Sequence, residues 1–476
     1  MFERVLFCIP KSPNQYGYPT YPHIGIGYLS EYLEENGIQV EVLDLRLDYT
    51  FKDVKKKISE FHPDLVGVTI MSYYHSLAYD LVNYLKQSGC SVVVGGPHVS
   101  TIKKQVLYEC SADYAIKHEA ELAMLQLCKG DKFNEIKGLM YREDDKVIEN
   151  EDRPPSSDLD NIPFPKYEKF QLKKYSSRRM PIITSRGCPF HCNYCPVTVT
   201  MGRNFRPRGA ENVLQELEYW HDKGYRDFAI QDDCLTFDKK RIYQFCDLLG
   251  KSHRKYNIMC GNGIRADLAD EDILRTMFRS GFTEIAFGVE SATPQVLKNV
   301  KKGETIEKIE NMIKISCEIG YNVILYFIVG LPGETKESLK NSINLACKYP
   351  ISVAHFYNPI PFPGTEMFDW VTRNNFFIGN SKNYLNRIAH WENEPIFETP
   401  DFTLDERRNA LIETKAVTRA IMKKGFKRRF KKLAVLADIV YFGPFYYALF
   451  HIMKRNRLFK KNLILALNKL NITFYI

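Results

Sequence analysis

The sequence predicts an α/β protein with two successive parallel-sheet domains and a helical C-terminal region. Short β-rich runs alternate with helical patterns over the first 130 residues, and the alternation resumes on a longer period from Pro181. A stretch rich in Pro, Ser and Asp, residues 152–165, lies between the two and marks a domain boundary. With 476 residues, of which 45% are hydrophobic, the chain can fill the cores of two or three domains.

Five βα units fill the first domain, which we assign to residues 1–135. Their spacing predicts a doubly wound, Rossmann-like sheet that binds its ligand over the carboxyl ends of the strands. The predicted strands and helices are Arg4–Ile9, Ile24–Asn36, Val40–Leu45, Phe51–Phe61, Leu65–Ile70, His75–Gln87, Ser91–Val94, Thr101–Glu109, Tyr114–Ile116 and Glu119–Lys129. Gly95 and Gly96 follow the fourth strand, where the lack of a side chain lets a ligand approach the backbone. His98 comes next and is a candidate ligand, although ordinary loop hydrogen bonds also explain a histidine there.

Residues 136–179 are predicted to form a hairpin and a linker, and residues 180–400 a second β/α domain. Its candidate strands are Ile182–Thr184, Asp227–Gln231, Ile258–Ile264, Glu284–Gly288, Val323–Val329 and His355–Asn358. Six strands with helices between them favour an open (β/α)6 partial barrel. Active sites of such barrels lie at the carboxyl ends of the strands, so the residues that follow the strands are the first candidates.

Three cysteines follow the first barrel strand at a C-x3-C-x2-C spacing: Cys188, Cys192 and Cys195. Three thiolates on one loop can hold three corners of a [4Fe-4S] cluster and leave one iron open to a small molecule. A Cys3His zinc site with His191 is the alternative, although the sequence has no second C-x2-C pair. The other cysteines are scattered and the first residues are too weakly apolar for a signal peptide, so we expect a reducing, cytoplasmic location.

The later barrel strands also end in polar or glycine-rich motifs. Acids at a strand end can accept hydrogen bonds from an ammonium group, and an arginine can clamp a carboxylate. Local roles compete with this interpretation, since such an acid can cap a helix and the arginine can pair with Asp267. In strand order, the candidates are Asp232 and Asp233, then Arg265, then Glu290 and Ser291, then Gly330, and last the run Pro359-Ile360-Pro361-Phe362-Pro363-Gly364-Thr365.

These motifs, in this order, resemble the radical S-adenosylmethionine (SAM) superfamily, whose cysteine signature has an aromatic residue where Tyr194 stands. The first domain looks like the cobalamin-binding domain of one large subfamily. The family's G-V-E-S matches residues 288–291 in full, and its P-F-P-G-T matches residues 361–365. Two departures concern cobalamin: no D-x-H-x-x-G follows the first strand, and His118-Glu119-Ala120-Glu121 stands in place of G-E-G-E.

The resemblance implies a site for each of three groups. The three cysteines would ligate the cluster, and the glycine pair with His98 would contact cobalamin. Residues that would surround SAM are Tyr194, Asp232, Asp233, Arg265, Glu290, Ser291 and Gly330. No catalytic acid or base is assigned, because the cofactors would supply the chemistry.

The activity that the resemblance implies is methyl transfer to an unactivated carbon through a 5′-deoxyadenosyl radical. Electrons would come from a donor such as flavodoxin or ferredoxin. A radical SAM enzyme that cyclises, couples or oxidises without net methyl transfer is the alternative, and a non-catalytic metal-binding or nucleic-acid-binding protein is the interpretation from another class. The substrate stays open among lipids, peptides and antibiotic precursors.

The C-terminal region, residues 401–476, is basic and aromatic. A charged helical pattern covers residues 403–424, and from Lys423 onward thirteen Lys or Arg residues face the single acid Asp438. Residues 433–453 approach the length of a membrane span, but Asp438 and the Gly443-Pro444 break favour a segment lying on an anionic membrane surface. A helical cap packed on the barrel explains the pattern equally well. Nucleic acid is not favoured as a partner.

Overall fold

The computed structural model describes residues 1–12, 19–379 and 383–429, which form two parallel-sheet domains and a long C-terminal helix. The strands are β1 Arg4–Ile9, β2 Gln39–Asp44, β3 Leu65–Thr69, β4 Val92–Gly95, β5 Tyr114–Ile116, β6 Leu139–Glu143, β7 Lys146–Glu149, β8 Met180–Ile182, β9 Ser185–Arg186, β10 Arg206–Pro207, β11 Asp227–Ile230, β12 Asn257–Ile264, β13 Phe282–Glu290, β14 Asn322–Ile328 and β15 Val353–Tyr357. The helices are α1 Ile24–Glu35, α2 Phe51–Phe61, α3 His75–Gln87, α4 Pro97–Ile102, α5 Gln105–Glu109, α6 Glu121–Lys129, α7 Val197–Thr200, α8 Ala210–Asp222, α9 Lys239–Lys251, α10 Glu271–Arg279, α11 Pro294–Asn299, α12 Ile306–Ile319, α13 Lys336–Lys348, α14 Glu366–Arg373 and α15 Leu404–Arg429.

The first sheet has the strand order β2-β1-β3-β4-β5-β6-β7. Strands β1 to β5 are parallel, and β3 is buried along its whole length, which fits a sheet covered by helices on both faces. The predicted hairpin is confirmed, because β6 and β7 pair antiparallel. Strand β6 also pairs with β5, with Tyr141 opposite Tyr114, so the hairpin extends the first sheet.

One predicted helix, Thr101–Glu109, is wrong. The structure has two shorter helices there, because Lys103 adopts a left-handed conformation with φ of 53° and ends α4. Helix α4 starts earlier than predicted, with Pro97 in its first turn, where the missing N–H of proline costs no hydrogen bond. The Gly95-Gly96 pair therefore leads directly into a helix.

The second sheet confirms the open barrel. Its six strands follow the order β15-β14-β13-β12-β11-β8 and all neighbours pair in parallel. Strands β8 and β15 are the two edges, so the barrel does not close. The register shifts between Gly288 and Glu290, and Glu290 takes a left-handed φ of 63° at the end of β13.

The two domains share one apolar core. Tyr167 and Phe170 of the linker lie in the same buried cluster as Leu33 of α1 and Trp220 of α8. Gly27 makes this contact possible, because a Cβ at that position would collide with the Tyr167 ring. The packing holds the carboxyl ends of both sheets against a common interface.

The C-terminal helix confirms the charged helical pattern and covers the barrel edge. Within the described residues, α15 packs against β15, where the Thr418 hydroxyl donates to the Ala354 carbonyl at 2.7 Å. The aromatic run 433–453 lies outside the described residues. None of the helices in the described ranges is both long and apolar enough to cross a membrane.

Arg407 of α15 is almost completely buried and holds the turn after β14. Its guanidinium donates to the Gly330 carbonyl at 2.8 Å, the Phe402 carbonyl at 2.8 Å and the Thr399 hydroxyl at 3.2 Å. The Phe397 and Phe402 rings lie 4.5 and 5.1 Å from it. Burial lowers the pKa of Arg407 to about 10, so the group stays charged at neutral pH.

Replacing Arg407 by methionine tests this anchor. We expect the Arg407→Met variant to unfold at a clearly lower urea concentration, followed by circular dichroism, because the buried acceptors lose their donors at a cost of about 3 kcal/mol. Arg408→Met is the matched control, since the Arg408 side chain is only half-buried and pairs with Glu394 near the surface. Equal midpoints for the two variants would contradict the assignment.

Candidate functional site

The three cysteines lie on a loop that a two-stranded ribbon closes at its base. Strand β9 pairs antiparallel with β10, and Arg186 stands opposite Arg206. We call this ribbon the neck of the cysteine loop. The loop between the two strands carries Cys188, Cys192 and Cys195, whose side chains are all half-buried. The thiols are therefore partly accessible at the carboxyl end of the barrel and are not buried in its core.

Two acids at the end of β11 fix the chain just before the cysteines. The Asp232 carboxylate accepts from the Thr184 N–H at 2.6 Å, the Thr184 hydroxyl at 2.5 Å and the Ser185 hydroxyl at 2.6 Å. Asp233 accepts from the Gly187 N–H at 3.1 Å. Burial, with the charge of Asp232 beside it, raises the pKa of Asp233 to about 6. Asp232 is buried with both oxygens engaged, so the structure places it beneath the loop.

Arg265 supports the loop from the end of β12. Its guanidinium lies 3.6 Å from the centroid of the Phe190 ring, which sits between the first two cysteines. It also donates to the two Asp267 oxygens at 3.0 and 2.9 Å and to the Lys302 carbonyl at 2.8 Å. The pairing with Asp267, which the sequence offered as the competing role, is present. Arg265 therefore contacts the loop through the Phe190 ring, while Asp267 and the Lys302 carbonyl fix its guanidinium.

A cavity of about 400 Å³ opens beside the third cysteine at the barrel mouth. Tyr194, Cys195 and Glu290 line one wall of it. Burial, with the charge of the nearby Glu290, raises the pKa of the Tyr194 hydroxyl well above its usual range. The buried Lys302 donates to Glu290 at 3.0 Å and lies 3.4 Å from Glu304, so Glu290 is paired with a buried cation at the cavity edge.

Ser291 and Gly330 lie behind this wall. The Ser291 hydroxyl donates to Glu334 at 3.1 Å and is fully buried. The Gly330 N–H donates to the other Glu334 oxygen at 2.6 Å, while its carbonyl is held by Arg407. Gly330 needs its left-handed φ of 93°, and a Cβ there would collide with Arg407. The structure thus places both residues where they shape the turn, and their contact with SAM stays a prediction.

Four further residues around the cavity were not among the candidates that the sequence provided. Asn262, Tyr326, Tyr357 and His390 line it. Tyr326 and Tyr357 stack at 5.9 Å across neighbouring strands, and the Tyr326 hydroxyl donates to the Gly261 carbonyl at 2.6 Å. Alternation along β14 and β15 is the signal that predicts inward-facing side chains there. No such signal exists for His390, which lies in an irregular segment.

The zinc alternative does not fit this arrangement. His191 is exposed and contacts the Arg203 guanidinium. Ligands of one zinc ion stand about 4 Å apart. Within the described part of the chain, one set of three potential metal ligands has all its ligand atoms within 4.8 Å of one another, and it consists of His75, His98 and Glu109. The three cysteine thiols do not form such a set, so they are spread more widely. A wider spacing suits the corners of a cluster.

A second cavity, of about 280 Å³ and mostly apolar, lies between the first sheet and the cysteine loop. Gly67, Gly95 and Gly96 line it from the first domain, and Thr200 and Met201 line it from the loop. A Cβ at Gly67 would lie 2.6 Å from the Phe7 ring, whereas one at Gly95 would stand 3.6 Å from its nearest neighbour, inside the cavity. The missing side chain at Gly95 therefore leaves space in the cavity that a larger residue would fill.

His98, the third candidate residue of this region, is not among the residues that line the apolar cavity. Its ring stacks on His75 with centroids 4.4 Å apart, and its Nε2 lies 2.9 Å from the Tyr79 hydroxyl. Burial lowers its pKa to about 3, so it is neutral. Stacked rings direct their nitrogen lone pairs along parallel planes, so His75 and His98 do not converge on one ion. Contact between His98 and a cofactor stays a prediction.

Comparisons with known proteins match both domains of the chain. Residues 182–346 match the family model described as Radical SAM superfamily, and residues 17–127 match the model described as B12 binding domain. The chain is 30% identical to the uncharacterized methyltransferase PH0819 of Pyrococcus horikoshii, covering 81% of this chain and 85% of that protein. It is 26% identical to cytidylyl-2-hydroxyethylphosphonate methyltransferase of Streptomyces wedmorensis, covering 80% and 84%.

A solved structure shows the same fold. It is the radical S-adenosylmethionine methyltransferase TsrM of Kitasatospora setae, with cobalamin and a [4Fe-4S] cluster bound. The TM-score is 0.68 at 19% identity, over 79% of this chain and 78% of that one. The arrangement of a doubly wound domain before an open barrel is therefore shared.

Removal of one thiol tests the cysteine loop. We expect Cys192→Ala, after anaerobic reconstitution with iron and sulfide, to lose most of the bound iron and the visible absorbance, because two thiols hold a cluster poorly. Cys347→Ala is the control, since Cys347 is exposed on α13 away from the loop. Zinc bound by the wild type in place of iron and sulfide would contradict the assignment.

Proposed function

The chain belongs to the radical SAM superfamily and carries a B12-binding domain, and we propose that it is a cobalamin-dependent methyltransferase that acts on an unactivated carbon through a 5′-deoxyadenosyl radical. One observation carries the proposal: a single loop forms walls of two cavities. Cys195 lines the barrel cavity, and Thr200 and Met201 line the apolar cavity. A reaction that combines two cofactors needs both held against one place.

Sequence relatives support methyl transfer over the alternative outcomes. Two of them, which cover most of this chain, are named as methyltransferases. The radical SAM outcomes without net methyl transfer keep the same cysteine loop, so they are separated by products and not by the fold.

When bound, the cluster supplies an electron for SAM cleavage and cobalamin supplies the methyl group. The residues of the chain bind and orient. The three cysteines would ligate the cluster, and Tyr194 and Glu290 would position the part of SAM nearest to it. Glu290 is the best placed acid for the SAM ammonium group, because it faces the cavity and its charge is held by Lys302.

In this proposal the substrate lies in the barrel cavity against Tyr326, Tyr357 and His390, which line it. Burial lowers the pKa of His390 to about 4, so this part of the cavity lining is neutral at physiological pH. Stacked aromatic rings exclude water from a radical and present flat apolar surface to the reacting carbon. Lipid, peptide and antibiotic precursors remain the candidate substrate classes.

We expect two partners: the family implies an electron donor, and the basic C-terminal region suggests a membrane surface. An electron donor such as flavodoxin or ferredoxin would reduce the cluster. The basic residues from Lys423 onward would attract an anionic membrane surface. Both partners, and the cytoplasmic location with peripheral membrane contact, stay predictions.

Product analysis tests the proposal. Reconstituted wild type with hydroxocobalamin, SAM and a strong reductant is expected to form both S-adenosylhomocysteine and 5′-deoxyadenosine. Omitting hydroxocobalamin should remove S-adenosylhomocysteine, because that product reports methyl donation, and Cys192→Ala should remove 5′-deoxyadenosine. Formation of 5′-deoxyadenosine alone by the fully loaded enzyme would contradict methyl transfer and favour the outcomes without it.

A further inference from the structure

The neck of the cysteine loop is held by carboxylates from the first domain. Glu119 lies between the two arginines of the neck: its Oε1 is 2.7 Å from Arg206 and 3.4 Å from Arg186, and its Oε2 accepts from Arg206 at 2.9 Å. Glu121, at the start of α6, lies 2.8 Å from Arg186. These four side chains are about nine-tenths buried, so the ion pairs are shielded from solvent.

Three of these four side chains form part of the apolar cavity that lies over the first sheet. Glu119, Glu121 and Arg186 all line it. The Arg186 guanidinium also lies 4.9 Å from the centroid of the Tyr28 ring, another lining residue. A ligand in this cavity therefore covers the ion pairs that hold the neck.

Loop and first domain meet a second time beyond the third cysteine. The His118 ring lies 3.4 Å from the Thr200 carbonyl through Nδ1, and helix α7 packs against α4. Thr200 and Met201 complete the cavity wall. Both ends of the cysteine loop are thus attached to the cavity, within two residues of Cys188 at one end and five of Cys195 at the other.

We propose that Glu119 and Glu121 are positioning residues that couple the cobalamin site to the cluster site through Arg186 and Arg206. The proposal rests on the two-cofactor function above and adds a coupling between the sites. A ligand that fills the cavity contacts the neck only when the neck has its native arrangement, so it stabilises that arrangement. Because coupling between binding sites is reciprocal, a loaded cluster also favours cobalamin.

The test measures how long the cluster survives. Reconstituted protein is exposed to a chelator, and the loss of visible absorbance and of bound iron is timed with and without hydroxocobalamin. For the wild type we expect hydroxocobalamin to slow cluster loss at least about fivefold. In Glu119→Gln and Glu121→Gln the ratio should fall close to one, because the neutral amides no longer hold the arginines.

Glu149→Gln is the matched control. Glu149 pairs at 2.9 Å with Lys117, which is buried in the same domain, but neither residue contacts the neck. Its ratio should equal that of the wild type. If the ratio for Glu149→Gln also falls close to one, the effect is a general result of damaging the domain, and the assignment is overturned.

A reciprocal measurement uses no glutamate variant, so it decides the matter even if those variants fail to fold. Hydroxocobalamin affinity is measured on wild type with and without its cluster, and the cluster-free form should bind at least about fivefold more weakly. Equal affinities would overturn the coupling and leave the proposed function standing. Failure to bind hydroxocobalamin in both forms would instead sink the proposed function.

Discussion

The structure depends on the fixation of one short loop by buried acids from two domains. Asp232 holds the backbone and hydroxyls of Thr184 and Ser185 from the barrel side, and Glu119 holds Arg186 and Arg206 from the first domain. A loop that ligates a cluster by three thiols cannot let them drift, because small displacements cost catalysis heavily. Buried carboxylates suit the task, since each accepts several hydrogen bonds in fixed directions.

This arrangement also explains why the chain needs both domains in one core. The cysteine loop lies between two cavities. It lines the barrel cavity at Cys195 and the apolar cavity over the first sheet at Thr200 and Met201. The linker around Tyr167 joins the two hydrophobic cores into one, which fixes the position of the loop between the two sheets. From the far side, Arg407 of the C-terminal helix secures the turn after β14, which completes the barrel mouth.

The sequence alone predicts the strands and the cysteine trio because both depend on local pattern. Short β-branched apolar runs such as Leu65–Thr69 are typical of buried strands, and the C-x3-C-x2-C spacing is recognisable without any structure. The roles of the strand-end residues were harder to predict, because they depend on partners far along the chain. Arg265 stacks on Phe190, and Gly330 is held by an arginine 77 residues away. Helix α4 ended early for a backbone reason, the left-handed Lys103, that composition does not reveal.

The central claim is that the loop holds a cluster with one open iron facing the barrel cavity. Electron paramagnetic resonance of the reduced, reconstituted protein, recorded before and after SAM is added, tests it most directly. Three thiol ligands leave one iron free, so SAM should change the spectrum of the cluster by binding to it. A spectrum that SAM leaves unchanged would contradict the account, because it would mean that all four irons are already coordinated or that the cavity does not receive SAM.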